Sequence, residues 1–202
     1  EAGERGALDY TVHGFVIGSF LVSPYYIGYW SALNYHGLTE QTPPSVYVAT
    51  TKPRNSRTIL DTRFVFVTIP KRKVFATEEI QIEKWKVVVS SPEKTVVDCL
   101  DHPEHCGGIE EVAKSIYFSR DELDFAKVVN FAKRIGNNTV IKRLGYIAET
   151  LGIDECSKLL SDATLKSGYS ILDPTLPRRD GKIRERWKIV VNARIEASRW
   201  TA

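Results

Sequence analysis

The sequence predicts an α+β fold. A mixed or antiparallel sheet, drawn mainly from residues 45–90 and 185–195, packs against helices from 12–37 and 92–166. Three observations point there. Short β-branched and aromatic runs fill the first half of the chain, amphipathic helical periods follow one another from about residue 92, and alternation returns at Trp187, Ile189 and Val191.

Each element can be justified in order. His13 to Val22 carries Phe15, Val16, Phe20 and Leu21, a short helix despite two glycines. Ser23-Pro24 then supplies a cap and a first-turn proline for a second helix through YYIGYWSALNYHG, which stops at Gly37. At 100° per residue, Tyr26, Tyr29, Trp30 and Leu33 share one arc of about 100°, the width of a core-facing stripe. No Lys or Arg lies between Arg5 and Lys52 to interleave with bases, so these rings read as core, their polar atoms partnered at its edge. SVYVATT and TRFVFVTI are strands separated by the basic turn KPRNSR, and Glu83-Lys84 is a hairpin turn inside EEIQIEKWKVVV. Ser90-Ser91-Pro92-Glu93 signals a helix start. Ile109 to Tyr117 and Phe125 to Ile135 keep helical spacing, Asn138 caps a helix ending at Gly152, and a shorter helix covers Glu155 to Leu165. With no linker composition, residues 1–202 read as one domain: β-rich over 40–90, helical over 91–168, closed by a strand over 185–193.

Composition narrows the function classes. No apolar run approaches the roughly 20 residues of a membrane helix. Three cysteines without paired spacing argue against a disulfide scaffold and for the cytoplasm. The absence of Met implies that Glu1 is not a translational start and that a longer protein is expected. Charge is uneven. Lys52 to Lys73 holds seven bases against one acid, Asp61, and Glu93 to Asp124 holds nine acids against three bases. Lys133 to Arg143 adds four bases, and Arg178 to Lys188 six against two acids. The candidate polyanion-binding residues are Lys52, Arg54, Arg57, Lys71, Arg72, Lys73, Arg178, Arg179 and Lys182, the last three joining the others if the closing strand enters the same sheet.

Catalytic patterns are missing: no phosphate-binding glycine loop, no H-E-x-x-H, no G-x-S-x-G. A metal-dependent nuclease is the enzymatic alternative, through Asp61, Glu83 and His36, but E-x-x-K replaces the expected E-x-K. In CLDHPEHC, the ligand types Cys99, His102, His105 and Cys106 lack the paired spacing of a structural zinc site, so a helix face and a turn without convergence are expected. No cofactor, metal or catalytic residue is assigned. A third reading is a scaffold that dimerises or orients a DNA-binding domain.

YYIGYWSALNYHGLTEQ, VYVATT, FVFVTIPKRK, SSPEKTVVDCLDHPEHCGGIEEV, VIKRLGY, LDPTLP and WKIVVN, in this order, closely resemble the AbiEi antitoxins. These are transcriptional regulators of abortive-infection, type IV toxin–antitoxin systems. The resemblance implies a C-terminal module that follows an N-terminal winged helix-turn-helix. It implies a full protein that binds promoter DNA to repress its own operon and antagonises a nucleotidyltransferase-like toxin, without enzymatic activity of its own.

Overall fold

The computed structural model describes residues 14–177 and 181–201, which divide into two compact units at Thr95/Val96. Among the described residues there are seven α-helices, a mixed six-stranded sheet and a small three-stranded sheet, so the α+β class holds.

The first unit is the six-stranded sheet with its covering helices. Helix α1 (14–21) leads into β1 (Tyr25–Ile27), α2 (Tyr29–Tyr35), β2 (Val46–Thr50), β3 (Arg57–Ile59), β4 (Thr62–Thr68), β5 (Thr77–Ile82) and β6 (Trp85–Ser90). The strands lie in the order β3-β4-β2-β1-β6-β5. Here the expected aromatic helix is corrected at its start. Tyr25–Ile27 is a strand at the middle of the sheet, antiparallel to β2 and parallel to β6, and the helix begins only after Gly28. A β-prone Tyr-Tyr-Ile fills a central slot whose two neighbours satisfy its backbone on both sides, which outweighs the helical period. A second difference concerns β2 and β4. They run parallel, Thr50 opposite Thr68, because KPRNSR crosses the end of β4 to start β3, which then hairpins onto the outer edge of β4.

Cross-strand rows assign the faces. Ile27, Val48 and Phe66 stand side by side, and α1 lies on them with Phe15 buried beneath it. Its two glycines explain themselves: a Cβ on Gly14 would stand 2.8 Å from the Val46 side chain, and one on Gly18 would touch Ile27 and Val48. The opposite row, Tyr26, Ala49 and Val67, is also buried. On that face Ser31 of α2 accepts the Tyr47 N–H at 2.9 Å, and Lys94, fully buried, donates to the Tyr26 hydroxyl at 3.1 Å while lying over the Phe75 ring.

Helix α3 (Pro92–Asp101) carries the chain into the second unit. Its cap is Ser91, whose hydroxyl accepts the Lys94 N–H at 3.3 Å. There follow α4 (Ile109–Phe118), α5 (Phe125–Arg134), α6 (Asn138–Leu151) and α7 (Asp154–Leu159), then β7 (Ser170–Ile171), β8 (Lys182–Arg184) and β9 (Ile189–Val191). The α6 cap is Asn137 rather than Asn138, accepting the Thr139 N–H at 3.1 Å, and Gly152 ends the helix in the left-handed region as expected. The closing strand does not enter the main sheet. It forms a second one, in the order β7-β9-β8, because β7, unforeseen in the sequence, supplies a parallel edge for it.

Two quoted motifs gain physical content in this unit. Asp173 of LDPTLP is buried and accepts the Ile109 N–H at 2.8 Å through Oδ2, so a carboxylate from a distant loop caps the start of α4. Its other oxygen accepts from the backbone and hydroxyl of Thr175. Gly145 of VIKRLGY gives Trp187 its seat, for a Cβ there would stand 2.2 Å from the indole. The indole N–H donates to Glu149 at 2.7 Å.

Candidate functional site

The basic residues flagged around β4 gather at one end of the first unit's sheet. Because β2 and β4 are parallel and in register at Thr50 and Thr68, the segments that follow both strands emerge together, and the Ile69 N–H donates to the Thr50 carbonyl at 2.8 Å. Lys52 and Arg54 lie on the segment that crosses from β2, Arg57 opens β3, and Lys71 and Arg72 sit in the 3-10 turn after β4. All five are exposed. Asp61, the one acid of this stretch, is displaced to the opposite end of β4, in the tight turn that joins it to β3. The strand end is therefore crowned by like charge from two loops, an arrangement that concentrates positive potential.

Lys73 does not share this placement. It is 9% exposed, its backbone N–H bound to the Pro70 carbonyl at 2.9 Å. Lys182 lies exposed on β8 in the second unit, and Arg178 and Arg179 fall outside the described residues. The condition for those residues to extend the same sheet, a closing strand within it, is not met. Nor is Lys133–Arg143 a uniform basic face. Lys142 is buried and donates to the Gly168 carbonyl at 2.7 Å. The buried Arg143 guanidinium donates to Leu100 and Asp101 carbonyls at 2.7 and 3.4 Å, satisfying the last turn of α3 and countering its dipole. Desolvation lowers the Arg143 pKa, opposed by the charges of Glu104, Asp101 and Asp173.

The nuclease trio does not assemble. Asp61 lies in the β3–β4 turn and Glu83 in the β5–β6 turn, at opposite edges of the six-stranded sheet. At about 4.8 Å per strand, five steps put the two edges roughly 24 Å apart, far beyond a shared ion. The His36 ring is engaged elsewhere, its Nε2–H donating to the Ser90 carbonyl at 2.7 Å. A cavity of about 210 Å³ lined by Phe15, Ser31, Pro43, Asp61 and Arg63 lies in the same unit. It is smaller than the roughly 300 Å³ at which small-molecule sites begin.

The C-x2-H-x2-H-C tetrad splits. Cys99 and Cys106 are buried and hydrogen-bonded to each other, and the Cys106 thiol donates to the His102 carbonyl at 3.6 Å. His102, Glu104 and His105 face outward together, with one ligand atom of each within 4.8 Å of the others. Glu104 was not counted with the histidines in the sequence, because a residue between two ligand types in a turn has no period that reveals its direction. Its pKa is lowered: burial opposes ionisation, and the hydrogen bond to His102, its own backbone N–H and the charges of both histidines outweigh it. Burial lowers the His105 pKa.

Comparison with known proteins places this architecture. A crystal structure of the RV2827C protein from Mycobacterium tuberculosis superposes with a TM-score of 0.57 at 12% identity, over 83% of this chain and 62% of that one. The likeness is one of fold, and this chain spans under two thirds of that structure's length. No curated protein matches it significantly. The family profile described as the AbiEi antitoxin C-terminal domain matches residues 26–150. That stretch runs from β1 through nearly all of α6, well over half of the chain, and by it this protein belongs to the AbiEi antitoxin C-terminal domain family.

Proposed function

We propose that this chain is the C-terminal, non-catalytic module of a cytoplasmic antitoxin that also represses its own operon. The full protein carries a winged helix-turn-helix ahead of it and antagonises a nucleotidyltransferase-like toxin. The observation that carries the reading is the family match over residues 26–150. Co-expression with the neighbouring toxin tests it. The full-length protein is expected to restore growth, and deleting residues 26–150 to abolish the rescue. A deletion protein that still neutralises the toxin would assign the antitoxin activity to another region.

The DNA role of the module is electrostatic in this proposal. Lys52, Arg54, Arg57, Lys71 and Arg72 touch phosphates beside the operator contacts of the winged helix, which positions the protein without specifying sequence. Each neutralised phosphate contributes about −0.9 to the slope of log K against log salt. Lys71→Glu combined with Arg72→Glu should therefore weaken promoter binding by the full-length protein and make its salt slope shallower by about two. Titrations at several salt concentrations check this, and unchanged affinity throughout would reduce the cluster to a solvated face. Among the described residues no helix is long and apolar enough to cross a bilayer.

A further inference from the structure

We propose that the turn between α3 and α4 is a binding site for a divalent metal ion of the zinc class, with His102, Glu104 and His105 as its protein ligands. The site comes from geometry. One ligand atom from each residue lies within 4.8 Å of the others, and His102 Nδ1 is 2.8 Å from Glu104 Oε1. Two donors each about 2.1 Å from one ion stand about 3.0–3.4 Å apart, so the His102–Glu104 pair is already near that spacing and His105 closes with a small side-chain rotation. Such rotation is cheap, since His102 and His105 are partly exposed and Glu104 is exposed.

The backbone beneath is held firmly. Pro103 opens the 3-10 turn Pro103–His105, the His105 N–H donates to the His102 carbonyl at 3.0 Å, and the Gly108 N–H donates to the Pro103 carbonyl at 2.9 Å. The buried Cys106 thiol adds its bond to the His102 carbonyl from inside. Three donors thus sit on a short, pinned turn, the arrangement that lowers the ordering cost of binding.

A second layer selects the ligating nitrogen. Asp101, whose side chain is 3% exposed, places Oδ2 3.4 Å from His102 Nε2, and its Oδ1 accepts from Asn137 at 2.6 Å. Without metal, Nδ1–H donates to Glu104. An ion at Nδ1 replaces that proton, and the carboxylate behind Nε2 then holds the ring's remaining proton, the outer-layer pattern that orients metal-binding histidines. Two imidazoles with one carboxylate form a borderline donor set, suited to Zn²⁺, Ni²⁺ or Cu²⁺ rather than to Ca²⁺ or Mg²⁺. The carboxylates of Asp101 and Glu104 both lie against His102, so a dication gains from the local charge. With three protein ligands on the surface, water completes the shell, and the ion clamps the α3–α4 turn.

The test uses the whole 202-residue chain, freed of metal by a chelator and titrated with ZnCl₂ by calorimetry. Saturation at one ion per chain is expected. His102→Ala and His105→Ala should each weaken it at least tenfold, while His36→Ala leaves it unchanged. Wild-type imidazole nitrogen shifts, followed during the titration, report the ligands without any variant. Movement of the His102 and His105 rings is the expected result. If no saturable binding occurs, if the rings do not move, or if His102→Ala/His105→Ala binds as wild type does, the turn is only a hydrogen-bonded His–Glu pair and the proposal is overturned.

Discussion

Gly145 carries more of the second unit than its lack of a side chain suggests. It sits inside α6, where exchange to Ala ordinarily stabilises by about 1 kcal/mol through helix propensity. Here the Trp187 ring occupies the space a Cβ would need, at 2.2 Å. Gly145→Ala must therefore push the indole off its Glu149 hydrogen bond, and overpacking of this kind costs about 1–3 kcal/mol. Net destabilisation in urea melts is the expected outcome; a gain would mean that Trp187 moves freely. Trp30 presents the reverse case. It is mostly buried, as expected, with Tyr26, Tyr29 and Leu33 fully so. Its indole nitrogen is buried with no hydrogen-bond partner among the described residues, where a partner at the core's edge was expected. An unpaired buried N–H costs about 1–3 kcal/mol, so Trp30→Phe should be tolerated to within about 1 kcal/mol even though ring volume is lost. Thermal melts of Trp30→Phe beside Trp30→Ala separate the polar contribution from the packing one, and equal losses would show that the nitrogen is not the costly atom.

Among the elements, the β3–β4 hairpin is held in spite of its turn. Ile59 pairs with Thr62, leaving Leu60 and Asp61 as a two-residue connection with φ of 47° and 61°. Both values lie in the left-handed region, which costs an ordinary residue about 1–2 kcal/mol, and Leu60 is also 80% exposed. Asn-Gly is the pair suited to this turn. Replacing Leu60-Asp61 with Asn-Gly should raise unfolding stability by about 1 kcal/mol, read from the urea midpoint, with unchanged stability indicating that the hairpin frays. The turn was not visible in the sequence, for Leu-Asp carries no turn signal and β3 is only three residues long. The Glu83-Lys84 turn was, since alternating apolar positions on both sides fixed its register, Ile82 opposite Trp85. Helices α5 and α6 were legible for the same reason, long apolar periods bounded by Gly136 and Gly152, whereas the helix expected over Glu155 to Leu165 covers only Asp154–Leu159. Tyr25–Ile27 was not, because three residues cannot display a period and their strand state depends on β2 and β6 alone.

For the molecule as a whole, the candidate site was legible as composition but not as placement. Seven bases in Lys52–Lys73 marked a basic segment, yet only the parallel register of β2 and β4 gathers five of them and sends Lys73 inward. Lys142 and Arg143 looked like surface charge and proved to be buried hydrogen-bond donors, since sequence counts charge without revealing which carbonyls are left open at a helix end. The thiols divide the molecule in another way. Cys99, Cys106 and Cys156 all lie in the second unit, and the first has none. Burial, then the neighbouring Cys99, pushes the Cys106 thiol well up, and burial raises Cys156 to about 12. A pKa raised on folding stabilises fully below the unfolded value, near 9, and the contribution is lost as pH climbs toward the folded value. Between those limits the unfolded chain ionises and the native one does not, which removes about 1.4 kcal/mol per pH unit for each such thiol. Urea melts from pH 8 to 10.5 should show the second unit weakening ahead of the first, with early proteolytic cuts confined to residues 96–202. Cys156→Ala should flatten that decline whatever it does to stability at pH 8. A slope identical to wild type would place the alkaline sensitivity elsewhere, in groups the two units share.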